Sequence, residues 1–145
     1  MPVRIDGAEY LYRYTAPGVM NITARFAAYL HTDRNAVGYF WVVSDADGSN
    51  AIGLGVGSDG VTLTLNVTAS GVPTTYTGTA LAVTRWYDIA LVKSGTSFTV
   101  SLDGASDITA TNAISFTDVV YVVSQPDWAD CSLAHLRMWK AALSA

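Results

Sequence analysis

From residue 9 to residue 139 the chain is a succession of short segments in which apolar and polar side chains alternate, with turn residues about every ten positions. A period of two sends successive side chains to opposite faces, so each such segment reads as a strand with one buried face. In residues 20–31, Ile22, Ala24, Phe26, Ala28 and Leu30 point one way, and Asn21, Thr23, Arg25, Tyr29 and His31 the other. Val61, Leu63, Leu65 and Val67 oppose Thr62, Thr64, Asn66 and Thr68, while Phe98, Val100 and Leu102 oppose Thr99 and Ser101. Burial on one side only, repeated along the chain, is what two packed antiparallel sheets require. The pattern predicts strands at 9–15, 20–31, 37–45, 50–57, 60–68, 73–78, 86–94, 97–103, 118–124 and 132–139. Asp47-Gly48, Ser58-Asp59-Gly60, Ser94-Gly95 and Asp103-Gly104 mark turns, each with a glycine where a positive φ is expected.

A chain of 145 residues suits one domain, spanning 1–145, with a substantial core. Only 14% of the residues are charged and the formal net charge is −4. Both values argue against disorder, against nucleic acid and against an anionic membrane as partner. Every apolar run is broken well before the roughly 20 residues of a membrane span. The start, Met1-Pro2-Val3-Arg4-Ile5, has no apolar stretch of the signal-peptide kind. The expectation is an excised domain or a protein that leaves its cell without a classical signal, at home on a virion or an extracellular surface. Cys131 is the single cysteine, so no internal disulfide is possible, and its neighbour Asp130 disfavours a reactive thiolate.

Glycoside hydrolysis uses two carboxylates, and Glu9 is the one glutamate in the chain. No paired nucleophile and base, and no glycine-rich phosphate loop, is legible either, so the reading is non-enzymatic with no cofactor required. Asp45, Asp47 and Asn50 gather oxygen ligands in one turn, which reads either as a calcium site or as hairpin chemistry. Sugar recognition calls for an exposed aromatic ring beside polar groups. Trp128, beside Asp127 in the loop Gln125-Pro126-Asp127-Trp128-Ala129-Asp130, is the leading contact candidate. Tyr39 and Trp41 share a face under strict alternation, and read either as core or as a stacking ledge.

Arg85-Trp86-Tyr87-Asp88-Ile89-Ala90-Leu91-Val92 leads through Ser94-Gly95-Thr96 into Phe98-Thr99-Val100-Ser101-Leu102-Asp103-Gly104, and Leu133-Ala134-His135-Leu136-Arg137-Met138-Trp139 follows about thirty residues later. With the opening Arg4-Ile5-Asp6-Gly7-Ala8-Glu9-Tyr10-Leu11, this order resembles the laminin-G-like branch of the concanavalin A-like lectin/glucanase domains. The chain departs from that pattern at Asp88, where the family often has a histidine, and at Cys131, where it often has a glycine. The resemblance implies an all-β antiparallel two-sheet jelly-roll sandwich, with Trp86, Phe98 and Trp139 in its core. It also implies adhesive functions, in some members with calcium at a loop rim. The reading is a non-catalytic recognition module that binds glycan or protein through edge loops, with Trp128, Asp127, Tyr39 and Trp41 as contacts. The alternative is a structural virion protein, a phage capsid-decoration or tail component, in which the same jelly roll makes homo-oligomer or assembly contacts.

Overall fold

The computed structural model describes residues 3–4, 10–15, 21–33, 35–45, 47–116, 119–123, 129–139 and 141–143; for 3–4, 10–15 and 119–123 only the strand pairing is described. The strands are β1 (Val3–Arg4), β2 (Tyr10–Thr15), β3 (Ile22–Leu30), β4 (Gly38–Ser44), β5 (Ala51–Val56), β6 (Thr62–Ala69), β7 (Val72–Ala80), β8 (Trp86–Ser94), β9 (Ser97–Leu102), β10 (Ala105–Thr111), β11 (Val119–Val123) and β12 (Cys131–Trp139). They form two six-stranded sheets, ordered β1-β12-β3-β8-β9-β10 and β2-β11-β4-β5-β6-β7. Neighbours within each sheet run antiparallel. The hairpin runs β4–β7 and β8–β10 each stay within one sheet, while the chain changes sheets around β2, β3, β11 and β12.

The core lies where the alternation places it. Ile22, Ala24, Phe26, Ala28 and Leu30 of β3 and Leu63, Leu65 and Val67 of β6 all lie in it, fully buried, as do Ile89, Leu91, Phe98 and Val100 on the first sheet's inner face. Phe26 and Phe40 touch across the two layers with ring centroids 6.3 Å apart. Lys93 also faces inward. Its ammonium donates to the Gly95 carbonyl at 2.7 Å and sits 5.6 Å from the Phe98 ring. Desolvation lowers its pKa, because burial penalises the charged form.

Two strands escape the alternation pattern, the two-residue β1 and β10. In Ala-Ser-Asp-Ile-Thr-Ala-Thr only Ile108 is buried, so β10 carries almost no apolar signal. Asp103 and Gly104, at φ 51° and 83°, turn β9 into it as a tight hairpin rather than ending the sheet. This edge strand fastens the two sheets together. Asp107 accepts from the Thr79 amide at 2.9 Å and the Thr79 hydroxyl at 2.5 Å, and the Tyr76 hydroxyl donates to the Thr111 carbonyl at 3.1 Å. Gly78 leaves room for this contact, since a Cβ would meet Asp107 Oδ2 at 2.0 Å and Ile108 Cγ1 at 2.8 Å and displace both side chains.

Candidate functional site

The site is made by an irregularity in β12. Cys131 and Leu133 face the core, and strict alternation would send His135, Arg137 and Trp139 after them. The pairing instead passes from Ala134↔Ala27 to Arg137↔Arg25, so His135 and Leu136 together oppose one residue of β3. This is a β-bulge, and His135 adopts the left-handed conformation at φ 56° to make it. Beyond the bulge the phase is reversed. Leu136 and Met138 pack on the core, while Arg137 and Trp139 join the outer face with Arg25 and Thr23. Trp139 is thus half-buried at the surface rather than in the core, and Trp86 is 42% exposed because Tyr87, Ile89 and Leu91 take the inner positions of β8. Of the three aromatics implied as core, Phe98 is buried.

Across β12, β3 and β8 the outer face is a ladder of rungs: Ser132–Tyr29–Trp86, Ala134–Ala27–Asp88, Arg137–Arg25–Ala90 and Trp139–Thr23–Val92. The alanines keep its middle low between taller side chains. There a cleft of about 350 Å³ is lined by Arg25, Phe26, Ala27, Asp88, His135, Arg137 and Trp139. One end is walled by the chain after β12: the Thr23 hydroxyl donates to the Ala141 carbonyl at 2.7 Å and accepts from the Leu143 amide at 3.0 Å. At the other end the Tyr29 ring lies 5.4 Å from Trp86 and 5.0 Å from His31, whose Nε2 is 2.8 Å from Ser132 Oγ.

Charge in the cleft is unevenly matched. Arg25 grips Asp88 with two bonds, Nε–Oδ1 at 3.1 Å and Nη2–Oδ2 at 2.5 Å, and this partner raises the pKa of the guanidinium, through its hydrogen bond first and its charge second. The backbone beneath is held too, since the Asp88 amide donates to Asp103 Oδ1 at 2.9 Å and Asp103 pairs with Arg85 at 2.6 Å. Arg137 stands directly opposite Arg25 and makes no hydrogen bond or ion pair among the described residues.

No protein-family model matches the chain, and no characterised protein matches it by sequence. Solved structures do match. The heptameric SAP-like pentraxin from Limulus polyphemus superposes with a TM-score of 0.65 at 18% identity, over 94% of this chain and 70% of its own. The carbohydrate binding module CBM66 from Bacillus subtilis does so at 0.60 and 16%, over 93% and 83%, and domains LG4-5 of the mouse laminin α1 chain at 0.66 and 10%, over 99% and 44%. The fold is the concanavalin A-like jelly roll. The likeness is one of architecture, and each site has to be read from this chain's own residues.

Of the contact residues expected from sequence, Tyr39 and Trp41 are described. Asp127 and Trp128 lie outside the described residues. Tyr39 and Trp41 do not share a face, because β4 bulges between them against β5. Trp41 and Phe40 both turn into the core at 1% exposure, and Trp41 Nε1 has no hydrogen-bond partner among the described residues. The half-buried Tyr39 stays on the outer face of the second sheet, its ring over Gly53 where a Cβ would come within 2.8 Å. Asp45 and Asn50 are buried and bonded to each other, with Asp45 accepting from the Asn50 amide at 3.0 Å and from Asn50 Nδ2 at 2.7 Å. Asn50 Oδ1 accepts in turn from the Ser70 amide at 2.9 Å. Asp47 accepts from the Ser49 amide at 2.9 Å, and this bond leads the causes that lower its pKa. Among the described residues no three His, Cys, Asp or Glu side chains gather as a metal site.

Proposed function

We propose that this jelly roll is a non-catalytic glycan-recognition module and that the outer face of β12, β3 and β8 is its contact surface. The observation that carries the reading is the cleft itself: an aromatic ring, Trp139, beside a carboxylate–guanidinium pair, with the small Ala27 among its lining residues. A pyranose offers an apolar face to such a ring and hydroxyls to such a pair. The structural relative named as a carbohydrate binding module supports it. So does the inventory of the cleft. Among the described residues Asp88 is its one lining carboxylate and is already engaged by Arg25, whereas hydrolysis by the usual route takes two.

A glycan-array screen with multivalently displayed protein, run with calcium and then with EDTA, tests the reading. Trp139→Ala and Asp88→Asn should each weaken array binding about tenfold or more while the protein stays folded. Trp128→Ala in the same screen tests the loop contact at Asp127 and Trp128, and the EDTA arm tests calcium at Asp45, Asp47 and Asn50. A blank array from folded protein overturns the reading. It would favour the assembly alternative, a capsid-decoration or tail component, for which β7 speaks: an uncharged edge strand with Val72 65% exposed at its start.

A further inference from the structure

The rungs of the outer face carry a more specific ligand chemistry than glycan binding alone. Like charges directly opposite each other on neighbouring strands destabilise a sheet, and Arg25 and Arg137 are such a pair. Among the described residues two guanidinium groups share this spot with one carboxylate, and both oxygens of Asp88 are taken by Arg25. Arg137 is left exposed and without an ion-pair partner among the described residues. A β-bulge with a non-glycine residue in the left-handed region turns Arg137 outward, where the residue directly opposite it on β3 is another arginine. The arrangement lacks one anion.

Aromatic rings stand at both ends of the same strip. Trp139 lies opposite Thr23, and Trp86 lies opposite Tyr29, six residues further along β3. At about 3.3 Å per strand residue the two ends are roughly 20 Å apart. Ala27, Ala90 and Ala134 flank the Arg25–Asp88 pair, which stands on the way between the two ends. A monosaccharide would reach one ring only, whereas an extended chain of several sugars would reach both and pass Arg137 on the way.

We propose that this face binds an unbranched acidic saccharide laid along β3, with a sugar ring on Trp139, another on Trp86 and Tyr29, and a carboxylate or sulfate seated on Arg137 beside His135. The inference rests on the glycan reading and deepens it, by fixing the charge, the length and the direction of the ligand. The protein's net charge of −4 makes the attraction local: the negative surface elsewhere disfavours broad, non-specific capture of polyanions, and binding is confined to this strip.

The test is titration calorimetry with linear tetrasaccharides: uronate oligomers of several linkages, the methyl esters of the same oligomers, and sulfated oligomers. Uronates binding more tightly than their esters, by tenfold or more, is the expected result, and the sulfated arm decides which anion is preferred. Arg137→Gln should abolish the acid-over-ester preference, and Arg137→Lys should restore part of it. Trp86→Ala should weaken tetrasaccharides about tenfold. Equal binding of acid and ester overturns the anion assignment, and equal binding of monomer and tetramer overturns the extended path. If no acidic oligomer binds while the array finds a neutral glycan lost on Trp139→Ala, this inference fails and the glycan reading stands. If nothing binds in either experiment, both fail. All three substituted side chains lie on the outer face, so circular dichroism and thermal melts can verify that the variants fold.

Discussion

Two residues show how the interior separates packing from recognition. Trp41 has the composition of a sugar platform but sits at 1% exposure with its indole N–H unsatisfied. An orphaned buried donor costs on the order of 1–3 kcal/mol, which offsets much of what the larger ring gains by burial over a phenyl. Trp41→Phe is therefore expected to stay within about 1 kcal/mol of the parent in urea denaturation, and to leave glycan binding unchanged. A loss above about 3 kcal/mol would mean the indole fills space that phenyl cannot. Cys131 is the second case. Burial first, and the charge of Asp130 second, push its thiol from 9.0 up to about 12. Between those values the unfolded chain has released its proton and the folded chain has kept it. The stability this contributes is complete below about pH 9 and is lost as pH rises toward 12. Melting temperatures of the parent and of Cys131→Ala, measured from pH 7 to pH 11, should therefore converge or cross above pH 9. Parallel curves would show that the thiol ionises equally in both states.

At the scale of one strand, β12 decides which side chains the site receives. His135 holds the left-handed conformation at φ 56°, a region that costs an L-residue roughly 1–2 kcal/mol. Glycine adopts it freely but loses more backbone entropy on folding, so His135→Gly should gain about 0.5–1 kcal/mol net in urea denaturation. Deleting His135 is a different experiment. It removes the extra residue and returns β12 to strict alternation, with Leu136 and Met138 inward and Arg137 and Trp139 still outward, so the deletion variant should fold and keep its outer face. A deletion variant that fails to fold would mean that something other than the bulge sets the register. The bulge was legible in principle. Cys131 and Leu133 are apolar at odd positions, Leu136 and Met138 at even ones, and the change of parity at His135-Leu136 marks the slip. Reading the strand by one period conceals it and places Trp139 inside. Strict alternation likewise puts Tyr39 and Trp41 on one face, since it cannot register the extra residue at Phe40. Where the strands run regularly, as in β3, β6 and β9, the faces assigned from sequence are the faces found. β10 escaped for another reason: an edge strand outside the core need carry no apolar pattern. The cleft was the least legible part. It is assembled from three strands far apart in sequence, and only the register of β12, β3 and β8 brings Arg25, Asp88 and Arg137 together.

For the molecule as a whole the open question is association, and its answer lies at an edge. β7 closes the second sheet, and its nine residues, Val-Pro-Thr-Thr-Tyr-Thr-Gly-Thr-Ala, carry no charge. Natural edges are commonly blunted by charge, proline, bulges or cover. Here Pro73 blunts one end, a register shift disturbs the pairing near Thr62 and Thr64, and Asp107 occupies the amide of Thr79. Between them residues 74–77 present open backbone beside the exposed Val72. With only 14% of residues charged, repulsion between copies is weak. The chain should therefore self-associate as concentration rises, through β7, seen as a growing weight-average mass in light scattering or sedimentation. Val72→Glu with Thr77→Glu adds two charges at that edge and raises the net charge from −4 to −6; this variant should remain monomeric over the same range. A parent that is monodisperse at millimolar concentration would sink the prediction, and an associating double variant would move the contact to another surface. The result bears on recognition as well. The β7 edge belongs to one sheet and the Arg137 strip to the other, so copies joined through β7 would keep their clefts open. Several weak sites would then act on one polysaccharide at high effective concentration, and the double variant should lose avidity for the polymer while keeping its affinity for a tetrasaccharide.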